Sequence, residues 1–266
     1  MMEFHYHPLS LDCQKVCLVM EEKNTKYIPH LVNPFKARNL DAEFFRQSPN
    51  GRIPVLVTAD QVFCDSLTMI RHLDKIGKPL GDKRVDQSKV QEWLEKIDSW
   101  DSKLFTLNHC PSGHALHFYS KFKRQVVITR LVENPDLAEK YHNKLQTMHA
   151  MEEMLKDQEA LASNTNELIS LLNDAEKQLT DTEFLAGAQF SVADCAFIPV
   201  LARIEVLKLD KEYFRKRPRL IYYFEQMKER PSYKTVIGPY STIFGNMKIL
   251  LPSICNMSIR RLLHKY

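Results

Sequence analysis

The chain has 266 residues, 44% hydrophobic and 26% charged, a balance that suits a globular protein of one large domain or two smaller ones. Its 37 Lys and Arg against 33 Asp and Glu give a formal charge of +4; six cations and no acid follow Glu229, so residues 1–229 carry −2. This excludes a generally basic nucleic-acid-binding body, whose cations would sit on the folded surface, and leaves a small basic tail as a contact for an anionic surface.

Residues 3–7 alternate and are rich in aromatics, which predicts a short strand, broken by Pro8-Leu9-Ser10. Cys13, Val16, Cys17 and Met20 then recur at helical spacing, with Gln14, Lys15, Glu21 and Glu22 assigned to the polar face. Tyr27–Val32 reads as a second strand and Asn39–Arg46 as a short helix. The turn Ser48-Pro49-Asn50-Gly51 leads into a third strand, Ile53–Val57, with Pro54 inside it. Val62–Cys64 is a short fourth strand, and Ser66–Ile76 is helical with Met69, Ile70, Leu73 and Ile76 on one face. The order β-α-β-α-β-β-α is too compact for a dinucleotide-binding domain and fits a thioredoxin-like one.

A first domain of residues 1–77, a linker at 78–88, a helical domain at 89–240 and an apolar, basic tail at 241–266 follow from this pattern. Only 7 glycines and almost no hairpin dipeptides favour helices beyond the first domain. Leu168, Leu171, Leu172, Ala175 and Leu179 form a core stripe. Ser191-Val192-Ala193-Asp194 is an Asp variant of the capping box, and Pro199 interrupts the helix it opens. No secretory leader and no apolar window of spanning length is evident, which predicts a cytoplasmic protein. The cysteines at 13, 17, 64, 110, 195 and 255 lack zinc spacing and read as reduced thiols. No metal site is expected. The tail pairs Ile249-Leu250-Leu251 with Lys248, Arg260, Arg261 and Lys265; it either packs on the helices or lies on an anionic membrane.

Three junctions carry chemistry. Ser10 is the only hydroxyl between the first strand and its helix, where free amides and the helix dipole favour an anion; plain capping is the alternative. A cis Ile53–Pro54 bond would leave the preceding backbone free to pair with a peptide-like ligand; a trans proline at a strand start is the alternative. Asp65-Ser66 opens another helix, with Ser66 able to cap it or its amides to take a carboxylate.

Taken in order, Phe4-His5-Tyr6-His7-Pro8-Leu9-Ser10, Pro49–Leu56, Asp65-Ser66 with Ile70 and Leu73, and Phe184–Gly187 leading to Phe190–Asp194 resemble the cytosolic glutathione S-transferases. The resemblance spans about residues 3–235. Ser10–Glu22, Ser102–Leu107, Glu133–Ala138 and the closing residues 260–266 are similar to the plant tetrachlorohydroquinone-dehalogenase-like (TCHQD) class. The resemblance implies a thioredoxin-like N-terminal domain, an all-helical C-terminal domain, glutathione as co-substrate, a hydrophobic electrophile and a homodimer. It assigns thiolate stabilisation to Ser10, the cysteinyl contact to Ile53 before Pro54 with Arg52 beside it, the γ-glutamyl end to Asp65 and Ser66, and the glycyl carboxylate to Asn39. Relatives with dehalogenase activity carry a cysteine where Asp12 stands. Cys13 either lines the core or forms a mixed disulfide with glutathione. A non-catalytic ligand-binding or membrane-associated module of the same fold is the competing reading. The electrophile pocket is expected near Phe105, His109, Phe118, Tyr119 and Phe122, with Arg124 and Arg130 as candidate contacts for an anionic substrate.

Overall fold

A computed structural model describes residues 1–110 and 113–241, apart from the side chains of residues 83 and 113–118. Strand β1 (Met2–Tyr6) leads into helix α1 (Leu11–Glu22), then β2 (Tyr27–Leu31), α2 (Ala42–Gln47), β3 (Val55–Val57), β4 (Val62–Phe63) and α3 (Ser66–Lys75). The sheet order is β2-β1-β3-β4, with β1 parallel to β2 and antiparallel to β3. This is the thioredoxin-like arrangement expected. The chain is then helical: α4 (Gln87–Ser99), α5 (Ser102–Asn108), α6 (Gly113–Glu133), α7 (Ala138–Met154), α8 (Gln158–Asp181), α9 (Val192–Val206), α10 (Asp210–Tyr213), α11 (Pro218–Glu229) and α12 (Pro231–Val236). No helix among the described residues is long and apolar enough to cross a membrane. The tail beyond Ser241, with its apolar and basic residues, lies outside the described residues.

α1 packs between α3 and α9, and this explains its sequence. Val16, Leu18, Val19 and Met20 are all buried, so both flanks of the helix are covered. Gln14 and Lys15 are buried too, which corrects their assignment to a solvated face. Each finds a polar partner, as a buried polar group must. The Gln14 amide donates to Pro8 O at 2.8 Å, and Lys15 pairs with Asp12 at 3.1 Å. Helix periodicity alone cannot show that a second domain covers the polar side.

α9 is the helical domain's central element and is buried over most of its length, Pro199 included. Its start is held by the Asp194 carboxylate, which accepts from Ser191 N, the Ser191 hydroxyl, Leu185 N and the Tyr223 hydroxyl. Ser191 and Asp194 thereby form the capping box read from the sequence, with the serine side chain also taking the third helical amide. The leucine stripe of α8 is buried as predicted.

A second cluster joins the two domains. Phe45 of α2 stacks on Tyr141 of α7 at 4.3 Å, among Leu40, Phe122, Val126, Val127 and Leu137. The Tyr141 hydroxyl donates to Leu40 O at 2.9 Å. Burying one such ring stabilises by roughly 1.5–3 kcal/mol. This contact braces the α2 side of the sheet domain against α6 and α7.

Candidate functional site

The end of β1 turns sharply before α1. Ser10 N donates to His7 O at 3.0 Å, and Leu9 N donates to His7 Nδ1 at 3.3 Å. Burial pushes the His7 imidazole down to about 4, which keeps it neutral and able to accept there. Arg203 of α9 donates to Leu9 O at 2.7 Å, tying the turn to the helical domain. Ser10 is the N-cap of α1, and its hydroxyl oxygen accepts from Cys13 N at a long 3.4 Å. Its proton stays available to a second acceptor. The Leu11 and Asp12 amides take no partner among the described residues. The capping and anion readings of Ser10 are thus compatible.

Cys13 faces inward and is fully buried. Its sulfur accepts from His7 N at 3.5 Å, and burial pushes the thiol up to about 12. A thiol so placed is neither accessible nor ionised at neutral pH. The mixed-disulfide reading of Cys13 loses its physical basis. Asp12 pairs with Lys15, and its charge also acts on Arg203, so two cations offset it beside the turn.

The second junction is the turn before β3. The Ile53–Pro54 bond is cis. Neither the amide nor the carbonyl of Ile53 makes a hydrogen bond among the described residues. Ser48 fixes the preceding residue: its hydroxyl donates to Arg52 O at 2.9 Å and accepts from Arg52 N at 3.1 Å. Gly51 sits at φ +53°, where a Cβ would lie 2.2 Å from the Phe45 ring. Asn39 is buried beneath this turn and donates to Gly51 O at 2.7 Å. It holds the turn from below instead of presenting an amide at the surface, so its expected contact with the glycyl carboxylate does not match its placement.

At the third junction, Asp65 is the cap of α3: its carboxylate accepts from Thr68 N at 2.9 Å and from the Thr68 hydroxyl. Ser66 is buried as the first helical residue, so the cap is one position earlier than the serine. The Ser66 and Leu67 amides are without partners among the described residues, an opening for a carboxylate.

Charge separates along this surface. Asp98 of α4 is pushed up by burial and then by Asp12 and Asp65, with Lys15 and Arg71 opposing. Three carboxylates thus gather near the starts of α1 and α3. Four cations gather elsewhere: Arg52, Lys103 of α5, Lys123 of α6 and Lys144 of α7. Burial, then repulsion from Lys123, Lys103 and Arg52, pushes Lys144 down to about 6. Burial lowers Lys123 to about 8. Burial and repulsion from Lys123 and Arg52 lower Lys103 as well, although its side chain still reaches solvent. Lys144 donates to Asn50 O at 2.7 Å, and Lys123 lies 5.1 Å over the Tyr119 ring. None of the four has a carboxylate within ion-pair distance among the described residues. Tyr119 donates to Pro34 O at 2.8 Å and touches Phe35, which meets His7.

The sequence selected other cations. Arg124 pairs with Glu152 at 2.9 Å, and Arg130 pairs with Asp41 at 3.2 Å and Glu133 at 2.6 Å, so neither is left for a substrate. Phe105 and Phe122 belong to the core, while His109 and Tyr119 are half-buried. Lys103, Lys123 and Lys144 were missed because only the fold brings α5, α6 and α7 to the Asn50 turn. A cavity of about 690 Å³ is lined by Glu22, Lys23, Ile76, Leu80 and Gln189, and by none of the site residues. One group with metal-ligand spacing exists among the described residues, Glu3, His5 and His30 on β1 and β2.

The three junctions on a thioredoxin-like sheet, with an all-helical domain closing over them, define a glutathione-transferase type of architecture. The family model for the glutathione S-transferase N-terminal domain matches residues 10–76, and that for the C-terminal domain matches residues 110–231. The chain is 40% identical to "Glutathione S-transferase TCHQD" of Arabidopsis thaliana, over 100% of both chains. It is 26% identical to the tetrachloro-p-hydroquinone reductive dehalogenase of Sphingobium chlorophenolicum, over 86% of this chain and 92% of that one. Among solved structures, a glutathione transferase family member from Pseudomonas fluorescens with two glutathione bound shares the fold, with TM-score 0.63 and 18% identity over 87% of this chain and 89% of that chain. The chain belongs to the glutathione S-transferase family.

Proposed function

We propose that the protein binds glutathione across the three junctions and transfers its thiolate to hydrophobic electrophiles, with Ser10 as the thiolate stabiliser. The observation that carries this is the α1 start: a hydroxyl with an uncommitted proton beside two unpartnered amides. A thiol near pKa 8.5 is mostly protonated at neutral pH. Lowering it by two units requires about 2.7 kcal/mol of preference for the thiolate. One hydroxyl hydrogen bond and the helix end supply an effect of that order. Lys15 and Arg203 keep Asp12 from cancelling it. The Ile53 backbone pairs with the cysteinyl unit, and the Ser66 and Leu67 amides take the γ-glutamyl carboxylate with Asp65 at the ammonium. Arg52 and Lys144 take the glycyl carboxylate, in place of Asn39. Lys103 and Lys123 are left beside the electrophile and favour one with an acidic group. We place the working enzyme in the cytosol as a homodimer.

The test is Ser10→Ala. Bound glutathione should lose its thiolate absorbance at neutral pH, and conjugation of a chlorinated aromatic should fall by roughly a hundredfold. Unchanged thiolate and turnover in the folded variant would remove Ser10 from the mechanism. A wild type that neither binds immobilised glutathione nor shifts its thiol would return the protein to the ligand-binding reading.

A further inference from the structure

The group Glu3, His5 and His30 takes no part in the glutathione site. Glu3 and His5 are two apart on β1 and so share a face of the sheet. The parallel register of β2 sets His30 directly opposite His5. The two imidazoles stack at 4.6 Å with an interplanar angle of 17°. Glu3 Oε2 lies 2.9 Å from His30 Nε2. That nitrogen is covered yet makes no well-aligned hydrogen bond, although 40% of the His30 side chain is exposed. Phe44 of α2 packs at 5.9 Å from the His5 ring and closes one side.

We propose that Glu3, His5 and His30 form a binding site for a divalent transition-metal ion of the zinc class. The ligand atoms already lie within 4.8 Å of one another. Tetrahedral zinc with bonds near 2 Å needs ligand atoms about 3.3 Å apart, a closure that side-chain rotation supplies without moving the strands. Two imidazoles and one carboxylate suit zinc, cobalt, nickel or copper and not calcium or magnesium, which favour all-oxygen sites. Three protein ligands leave a position for water. The backbone sets the geometry, because all three residues lie on hydrogen-bonded strands. A bound ion would tie the edge strand β2 to β1. It would thereby brace the segment after β2, where Phe35 meets His7 and Tyr119.

The experiment uses the full chain without an affinity tag, stripped of metal and kept reduced. It is titrated with Zn²⁺ by calorimetry and with Co²⁺ by visible absorption. One ion should bind per chain, with a cobalt spectrum of nitrogen and oxygen ligation. His5→Gln and His30→Gln should each weaken binding by roughly tenfold or more, while Cys64→Ser and Cys110→Ser leave it unchanged. Zinc should raise the melting temperature of the wild type and not of His30→Gln. Near-ultraviolet circular dichroism establishes that each variant is folded. A thiolate-to-cobalt charge-transfer band, binding unchanged in folded His30→Gln, or no binding at 100 µM metal, a concentration chosen for the assay at roughly the weak end expected of a three-ligand surface site, would overturn the proposal.

Discussion

The two ends of the candidate glutathione surface carry opposite charge and are built on different principles. At the acidic end each of the starts of α1 and α3 supplies an aspartate: Asp12 is answered by Lys15 at 3.1 Å and by the charge of Arg203, while Asp65 caps α3 through Thr68. At the basic end Arg52, Lys103 and Lys123 repel Lys144, and none of the four has a carboxylate within ion-pair distance among the described residues, although the charge of Asp101 acts on Lys103. Like charges crowded in a partly dehydrated place are unfavourable unless something else is gained. Asp12 is therefore already neutralised by the protein and Asp65 is open to a cation, whereas the basic end as a whole is open to an anion. A tripeptide with an ammonium at one end and a carboxylate at the other fits both.

Reversing a charge at the basic end and removing one at the acidic end gives the largest contrast. Arg52→Glu should raise the glutathione KM by roughly a hundredfold, because it removes an attraction and adds a repulsion at the carboxylate. Asp65→Ala should raise it by roughly tenfold and also cost about 1 kcal/mol of stability through the lost α3 cap. Initial-rate kinetics and thermal denaturation separate the two effects. Equal KM changes for both variants, or none, would contradict the division into an acidic end partly answered by the protein and an open basic one.

A smaller effect is expected at the cation that answers Asp12 from the helical domain. Arg203 holds Leu9 O and lies near Asp12, yet it is a residue of α9, far along the chain. Arg203→Met leaves Asp12 with one cation fewer beside the thiolate. The pKa of bound glutathione, read from its ultraviolet titration, should rise by about half a unit. A rise in KM with no change in that pKa would make Arg203 an anchor for the turn only.

The contrast between the ends also marks what the sequence could reveal. The acidic end was legible because Ser10, Asp12, Asp65 and Ser66 stand in local motifs, each at a strand-to-helix junction. The cis Ile53–Pro54 turn was legible for the same reason. The basic end was not, because its cations come from a turn and three separate helices, and nothing in the spacing of positions 52, 103, 123 and 144 predicts that they meet. Arg124 and Arg130 looked equivalent in sequence; only the folded positions of Glu152, Asp41 and Glu133 distinguish them. Asn39 and Gly51 show the same limit. Twelve residues apart, they form one hydrogen bond that puts the asparagine under the turn. The pairing of His30 with His5 likewise depends on the register of two strands.

The finest test of the open end is proton uptake. Lys144 is held down to about 6 in the folded protein, against 10.5 for a free lysine. Between those values the unfolded chain binds the extra proton, so this group makes the ligand-free protein more stable as pH rises from 6 toward 10. A carboxylate placed against Lys144 reverses the cause and restores the proton. Binding at pH 8 should then draw protons from the buffer. Glutathione itself is unsuitable, because its thiol releases a proton at the same time; S-methylglutathione has none to release. Calorimetry of S-methylglutathione in buffers of different ionisation enthalpy should report an uptake of up to about one proton per site, lost in Lys144→Met. Zero uptake in the wild type would mean that the glycyl carboxylate lies elsewhere, and that the basic end serves the second substrate alone.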